Sequence, residues 1–299
     1  MEGKWLEDFL SVARTGNFSR SAIERHITQS AFSRRIKSLE GWAGAALIDR
    51  SSYPTRLTPA GERFRDVVEQ VLSSLQEARQ DLRAEIDSGD GTLRIAAQHS
   101  LAGSFLLHWL VGMREQLGDL AVEVRADNLH DCVRDLDEGN VDLLICYAHP
   151  ALPIDVDPIR FPCRDIASTM LVPVSCADRN GRPLFSVRRA SRSPIPMLHY
   201  GAQSFLGRAA ALIASRLPSD RNLHVVYEST LTESLRAAAI AGLGIAWLPR
   251  HFVQDDLDGG GLVHAGSARH EVQLGIRLYA NQVRLGARYA LFRNYDFKE

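Results

Sequence analysis

The spacing of apolar positions changes along this chain, and the changes divide it. In residues 4–15, Trp5, Leu6, Phe9, Leu10, Val12 and Ala13 recur three and four apart, which predicts an amphipathic helix closing at Thr15 and Gly16. Asn17 offers an N-cap for a short helix over 18–25, and Thr28 offers another for a helix over 28–40. On the latter, Phe32, Ile36 and Leu39 share one face, while Ser30, Ser33, Arg34 and Lys37 form the opposite stripe. The apolar side packs. The other offers hydroxyls, a guanidinium and an ammonium, donors suited to phosphates and to base-edge acceptors in a major groove. Two short helices joined by a tight turn, the second with such a face, predict a helix-turn-helix with 28–40 as recognition helix. ALIDRSSYPTRLT then reads as two short extended pieces around a turn, a wing. Its Arg50 and Arg56 are placed either to reach a phosphate backbone or to remain solvated surface charges.

Thr58-Pro59 is a strong helix start, and the helix it opens is expected to run to about Asp87. Its apolar residues form one narrow seam, including Phe64, Val68, Val71, Leu75 and Leu82, with charges elsewhere. A seam of that length is too long for a small winged domain to cover, so a second copy of the helix is the simplest partner. Packing inside its own chain is the alternative. Ser88 to Gly91 breaks the helix, and beyond it strands and helices alternate, predicting a mainly parallel sheet with helices on its faces. The expected parts are 1–58, 59–88 and 89–299.

Composition narrows the class. The 299 residues are 45% hydrophobic and 24% charged, with a net charge of −1. DNA contact must therefore be local, and residues 1–58 hold nine basic against six acidic side chains. MEGKWLEDFL lacks the basic and apolar regions of a signal peptide, and no apolar run is long enough to span a bilayer. A cytoplasmic protein without membrane contact is expected, with the four cysteines reduced and no CxxC pair to suggest zinc. The sequence holds no GxSxG, P-loop or HExxH, and no GxGxxG after a strand, and its histidines are scattered; neither an enzyme nor a bound cofactor or metal is expected.

These residues resemble the LysR-type transcriptional regulators over essentially the full length. The resemblance is carried by FSRSA at 18–22, QSAFSRRI at 29–36, Leu39-Glu40, LIDR at 47–50 and LTPAG at 57–61. KWLEDFL, AAQHSL and GIAWLP are similar to an oxidant- or hypochlorite-responsive subgroup. The resemblance implies that Gln29, Ser33 and Arg34 contact double-stranded DNA, with Ser30 standing where many members carry proline. It implies a winged helix-turn-helix, a linker helix and a periplasmic-binding-protein-like α/β effector domain. That domain would have one subdomain over 92–162 and 267–299 and another over 163–266. It also implies a homodimer or homotetramer on palindromic half-sites, controlled by a small-molecule or oxidant effector, with RNA polymerase left open as a further partner. A constitutive architectural DNA binder, whose second domain only oligomerises, is the rival.

In an open α/β fold a ligand sits at the carboxyl ends of strands, where helix N-termini offer N–H groups. Three such points can be read: His99 and Ser100, Gln203 and Ser204, and Thr230. Cys146 and Tyr147 end a strand and Trp247 follows another, so these too are expected at the cleft. Ser100, Ser204 and Thr230 are equally readable as plain N-caps, and Trp247 as core. Cys146 is a candidate redox thiol or a small buried hydrophobe; Met113, Met170 and Met197 sit in apolar contexts.

Overall fold

The computed structural model describes residues 2–51, 53–87, 91–114, 118, 120–188, 193–201, 204–214 and 222–293. Two compact units form, Met1–Arg79 and Gln80–Glu299.

In the first unit α1 (Gly3–Thr15), α2 (Phe18–Glu24) and α3 (Gln29–Ala43) surround a core of Phe9, Val12, Phe32, Ile36, Leu39 and Leu47, all buried. Full burial stabilises such side chains by about 1.5–3 kcal/mol each. The caps act as expected: the Asn17 side chain accepts the Arg20 N–H at 3.0 Å, and the Thr28 hydroxyl accepts the Ala31 N–H at 3.3 Å. The wing is a ladder of β1 (Ile48–Asp49) and β2 (Arg56–Leu57), antiparallel, with Asp49 opposite Arg56.

The long helix α4 (Pro59–Asp87) corrects part of the seam reading. Val68 is buried in the core of its own unit, and the Phe64 ring meets Phe9 edge-on at 5.4 Å and Trp42 at 6.4 Å. Val68 is core here rather than an open dimer face, and the half-buried Phe64 packs against that core. Gly61 explains how: a Cβ at this position would collide with the Leu47 carbonyl, so only glycine lets the first turn of α4 lie against the wing strand. Val71 and Leu75 are exposed, as is Val67. The Leu82 side chain lies outside the described residues. The division between the units falls inside α4 because its first turns complete the winged domain.

The second unit contains β3 (Thr92–Gln98), a π-helical turn (Leu101–Phe105) running into α5 (Leu106–Gly112), β4 (Ala121–Asp127) and α6 (Leu129–Asp137). Next come β5 (Leu143–Ala148), β6 (Cys163–Cys176), β7 (Ile195–Tyr200), α7 (Phe205–Ala214) and β8 (Leu223–Ser229). The chain then forms α8 (Thr232–Ile240), β9 (Ile245–Pro249), α9 (Arg250–Asp258), β10 (Leu262–His264) and β11 (Val272–Ala280). The strands make one mixed sheet in the order β4-β3-β5-β11-β6-β9-β7-β8, with β10 beside β6. Parallel triplets stand at either end, β4-β3-β5 and β9-β7-β8. The long strands β11 and β6 join them antiparallel, so the sheet is not mainly parallel as expected. Each triplet with its helices is one lobe, and β6 and β11 are the two crossings between lobes.

The chain then forms α10 (Gln282–Leu285), a 3-10 turn and α11 (Tyr289–Arg293), with Gly286 at φ 49° interrupting what would otherwise be one helix.

Candidate nucleic-acid interface and effector cleft

On α3 the apolar and polar faces separate completely. Phe32, Ile36 and Leu39 are fully buried, whereas Gln29, Ser30, Arg34 and Lys37 are exposed and Ser33 is half-buried. Among the described residues Arg34 and Lys37 carry no ion pair, so their charges face water. The neighbouring cations are used inside the unit. Asp8, fully buried, takes the Arg25 Nε at 2.9 Å and an Arg35 Nη at 3.2 Å, and Arg25 also pairs with Glu7. That triad ties α1 to the turn and to α3, and a buried carboxylate requires such partners. An acid four residues before Val12, on the packing face of α1, was the available sequence signal for it.

The wing splits its two arginines. Arg50 donates to Glu40 at 2.9 Å and lies over the Phe18 ring, 5.2 Å from its centroid. Its guanidinium is thus paired within the protein while the residue remains exposed. Arg56 is exposed and has no ion pair within 4 Å among the described residues.

In the second unit, a polar chain runs across the boundary between the lobes. Ser100 Oγ and Tyr147 Oη are 2.9 Å apart; Tyr147 Oη lies 3.5 Å from His251 Nε2; His251 Nδ1 is 3.0 Å from Thr169 Oγ1. The side-chain Oε1 of Gln98 accepts the Tyr147 N–H at 2.8 Å. Phe205, first residue of α7, stacks on Tyr147 with centroids 6.4 Å apart, and Phe105 meets His251 edge-on at 6.4 Å. Burial pushes the Tyr147 phenol up, opposed by its hydrogen bond to Ser100, and lowers the His251 imidazole to about 4. The chain is therefore neutral at ordinary pH.

The sequence-derived cleft residues separate accordingly. Ser100 and Tyr147 meet. Ser204 stands next to Phe205 but spends its hydroxyl accepting the Gly207 N–H at 2.9 Å, a plain cap. His99 and Thr230 are exposed; Thr230 is no cap, since α8 starts after Leu231. Gln203 lies outside the described residues. Cys146 and Trp247 are corrections. Alternation along β5 turns Cys146 to the face opposite Tyr147, where it is buried with Cys132, Leu136, Phe161 and Tyr279. Trp247 is buried and donates its indole N–H to the His270 carbonyl at 2.9 Å. Met113 and Met197 are buried and Met170 partly so. His251, Thr169 and Phe205 were missed. His251 belongs to α9, whose signals were Pro249 before it, Val253 and Leu257 four apart, and Gly259 after it. A separate depression of about 500 Å³ lies between α9 and β10, lined in part by Arg250, Gln254, Asp258 and His264.

Known families match both units. Residues 4–62 match the bacterial regulatory helix-turn-helix protein, lysR family, and residues 86–295 match the LysR substrate binding domain. The chain is 32% identical over 281 residues to the HTH-type transcriptional regulator YjiE of Escherichia coli K12, covering 94% of this chain and 88% of YjiE. Among solved structures it is similar to Vibrio fischeri DarR in complex with DNA, with 31% identity, 99% of each chain covered and a TM-score of 0.58. It is also similar to full-length HypT of Salmonella typhimurium, a hypochlorite-specific LysR-type regulator, with 28% identity, 98% and 96% covered and a TM-score of 0.59.

Proposed function

The chain belongs to the LysR family of DNA-binding transcriptional regulators, and on that premise we propose how it reads DNA and what controls it. Gln29, Ser30, Ser33, Arg34 and Lys37 face the major groove, with Arg56 on a flanking phosphate. The observation that carries this reading is the exposed polar face of α3 behind which Phe32, Ile36 and Leu39 are sealed. The protein is a regulator and not an enzyme, as its relatives are named.

Two copies act together at paired half-sites. Exposed Val67, Val71 and Leu75 on α4 support this, as do the apolar residues that both edge strands expose, Val124 on β4 and Val225, Val226 and Tyr227 on β8. Bare edges and apolar stripes of that kind are ordinarily covered. No helix among the described residues is long and apolar enough to cross a membrane, and the proposed place of action is the cytoplasm. Control comes from a small molecule or an oxidant acting at the lobe boundary around Ser100, Tyr147 and Ser204; the likeness to HypT, described as hypochlorite-specific, favours the oxidant.

Genome-wide mapping of bound DNA, with and without hypochlorite, tests both statements. Discrete two-fold symmetric sites whose occupancy or transcription changes with oxidant are expected. Diffuse binding would remove the sequence-specific reading, and sites indifferent to hypochlorite would remove the oxidant.

A further inference from the structure

Glu40 sits where the recognition helix meets the wing. Its Oε1 accepts the backbone N–H of Leu47 at 3.0 Å and of Ile48 at 3.1 Å, and its Oε2 takes the Arg50 guanidinium at 2.9 Å. The first two donors lead into β1 and the third leaves it, so one side chain of α3 grips the wing strand at both ends. That strand is only two residues long, too short to be rigid by its own ladder. Through the register with β2, fixing Ile48 and Asp49 also fixes Leu57 and Arg56.

We infer that Glu40 is a positioning residue for DNA binding. It sets the place of the wing cation Arg56 relative to the α3 face so that both meet one duplex together. Glu40 does not itself read DNA, because its carboxylate is occupied by three donors and its charge is answered by Arg50, as suits charge-assisted bonds. Among the described residues Arg56 has no ion pair within 4 Å, only the charge of Asp49 opposite it on the ladder. Its contribution to binding depends on a residue it does not touch.

The inference rests on the DNA-binding reading and separates from it in one experiment. Binding of the full-length protein to a labelled duplex of random sequence is measured across salt concentrations, where the slope of log K against log[salt] counts neutralised phosphates. Glu40→Ala is expected to reduce the slope by about one, as Arg56→Ala does, and the double variant no further than either, since the two losses are one loss. Glu40→Gln keeps Oε1 for the Leu47 and Ile48 N–H groups but turns an amide NH2 toward Arg50, releasing only that end of the grip, and is expected to lose less of the slope than Glu40→Ala. Additive losses, or a Glu40→Ala slope that is unchanged or steeper because Arg50 has swung to a phosphate, overturn the inference. Should Glu40→Ala lose its fold, Glu40→Asp, one methylene too short to serve both N–H groups, enters the same cycle with the same criteria. No salt-dependent binding by the unmodified protein is a distinct result and overturns the DNA-binding reading as well.

Discussion

The α3 face and the lobe boundary treat polar groups in opposite ways. On α3, Arg34 and Lys37 stand in water with no ion pair among the described residues, and every nearby cation needed for structure is already paired, Arg25 and Arg35 on Asp8 and Arg50 on Glu40. At the lobe boundary the polar groups face one another: Ser100, Tyr147, His251 and Thr169 form a neutral chain roofed by Phe105 and Phe205. The first surface is complete before its ligand arrives. The second is closed on itself, so on the proposed reading an effector would exchange the protein's own hydrogen bonds for new ones, and a ligand shifts an equilibrium only by its difference in affinity for two states. Under the proposed function, α3 is the preformed reader and the lobe boundary the sensor that opens.

That contrast can be broken by acid first. The folded unit holds His251 neutral with its pKa lowered to about 4, whereas the unfolded chain protonates it near the ordinary 6.5. As pH falls below 6.5 the unfolded state takes the proton and the folded state does not, so stability declines until about pH 4. The loss is about 1.4 kcal/mol per pH unit between the two pKa values, totalling about 3 kcal/mol. Urea denaturation of the second unit at pH 7 and 4.5 should show it, and His251→Gln should flatten it; equal pH dependence in the two proteins would show that the imidazole is not the titrating group. On the α3 side, Arg34→Ala should remove about 1–3 kcal/mol of discrimination between a selected site and random duplex while oligomeric state is unchanged. Competition binding with sedimentation reads both, and undiminished selectivity would shift recognition elsewhere on the face.

A smaller effect is expected from Tyr147→Phe, which deletes the hydroxyl shared by Ser100 and His251 and should destabilise the second unit by about 1 kcal/mol. A stabilised variant would mean that the chain is held together by packing alone. Smallest of all is Cys146→Ser. Burial raises the thiol far above the range in which a thiolate forms, and holds neighbouring Cys132 at about 12. Oxidant-dependent promoter output should therefore be the same within error, and alkylation of the native protein should label exposed Cys163 first. Loss of the oxidant response in Cys146→Ser would restore the thiol as sensor.

The two regions also differed in how far the sequence disclosed them. The α3 face depends on one helix, and helical spacing with a Thr28 cap places Phe32 inward and Arg34 outward without further knowledge. The lobe boundary depends on four segments far apart in sequence. Ser100 and Tyr147 are legible because both stand close to the carboxyl ends of strands. His251 is not legible, because α9 is nine residues long with a sparse apolar stripe, and Cys146 lies away from Tyr147 because adjacent residues of a strand look to opposite faces. The Arg50 ion pair is not legible for another reason: an arginine on a wing gives no local hint that Glu40, ten residues earlier, pairs with it. The long seam of α4 misled at its start, where Phe64 and Val68 obey the same spacing as the exposed Val71 and Leu75 but face their own core.

That shared spacing limits how α4 can change length. A helix turns by about 100° per residue, so one residue inserted between Val68 and Val71 would swing the exposed stripe a quarter turn or more away from the side on which Phe64 and Val68 are anchored. Insertion of seven residues returns it to within about 20°. With Gly61 clamping one end to the wing, the helix tolerates growth or loss by paired turns and rejects it by single residues, so related chains can differ in α4 only in such steps if they keep the same two faces.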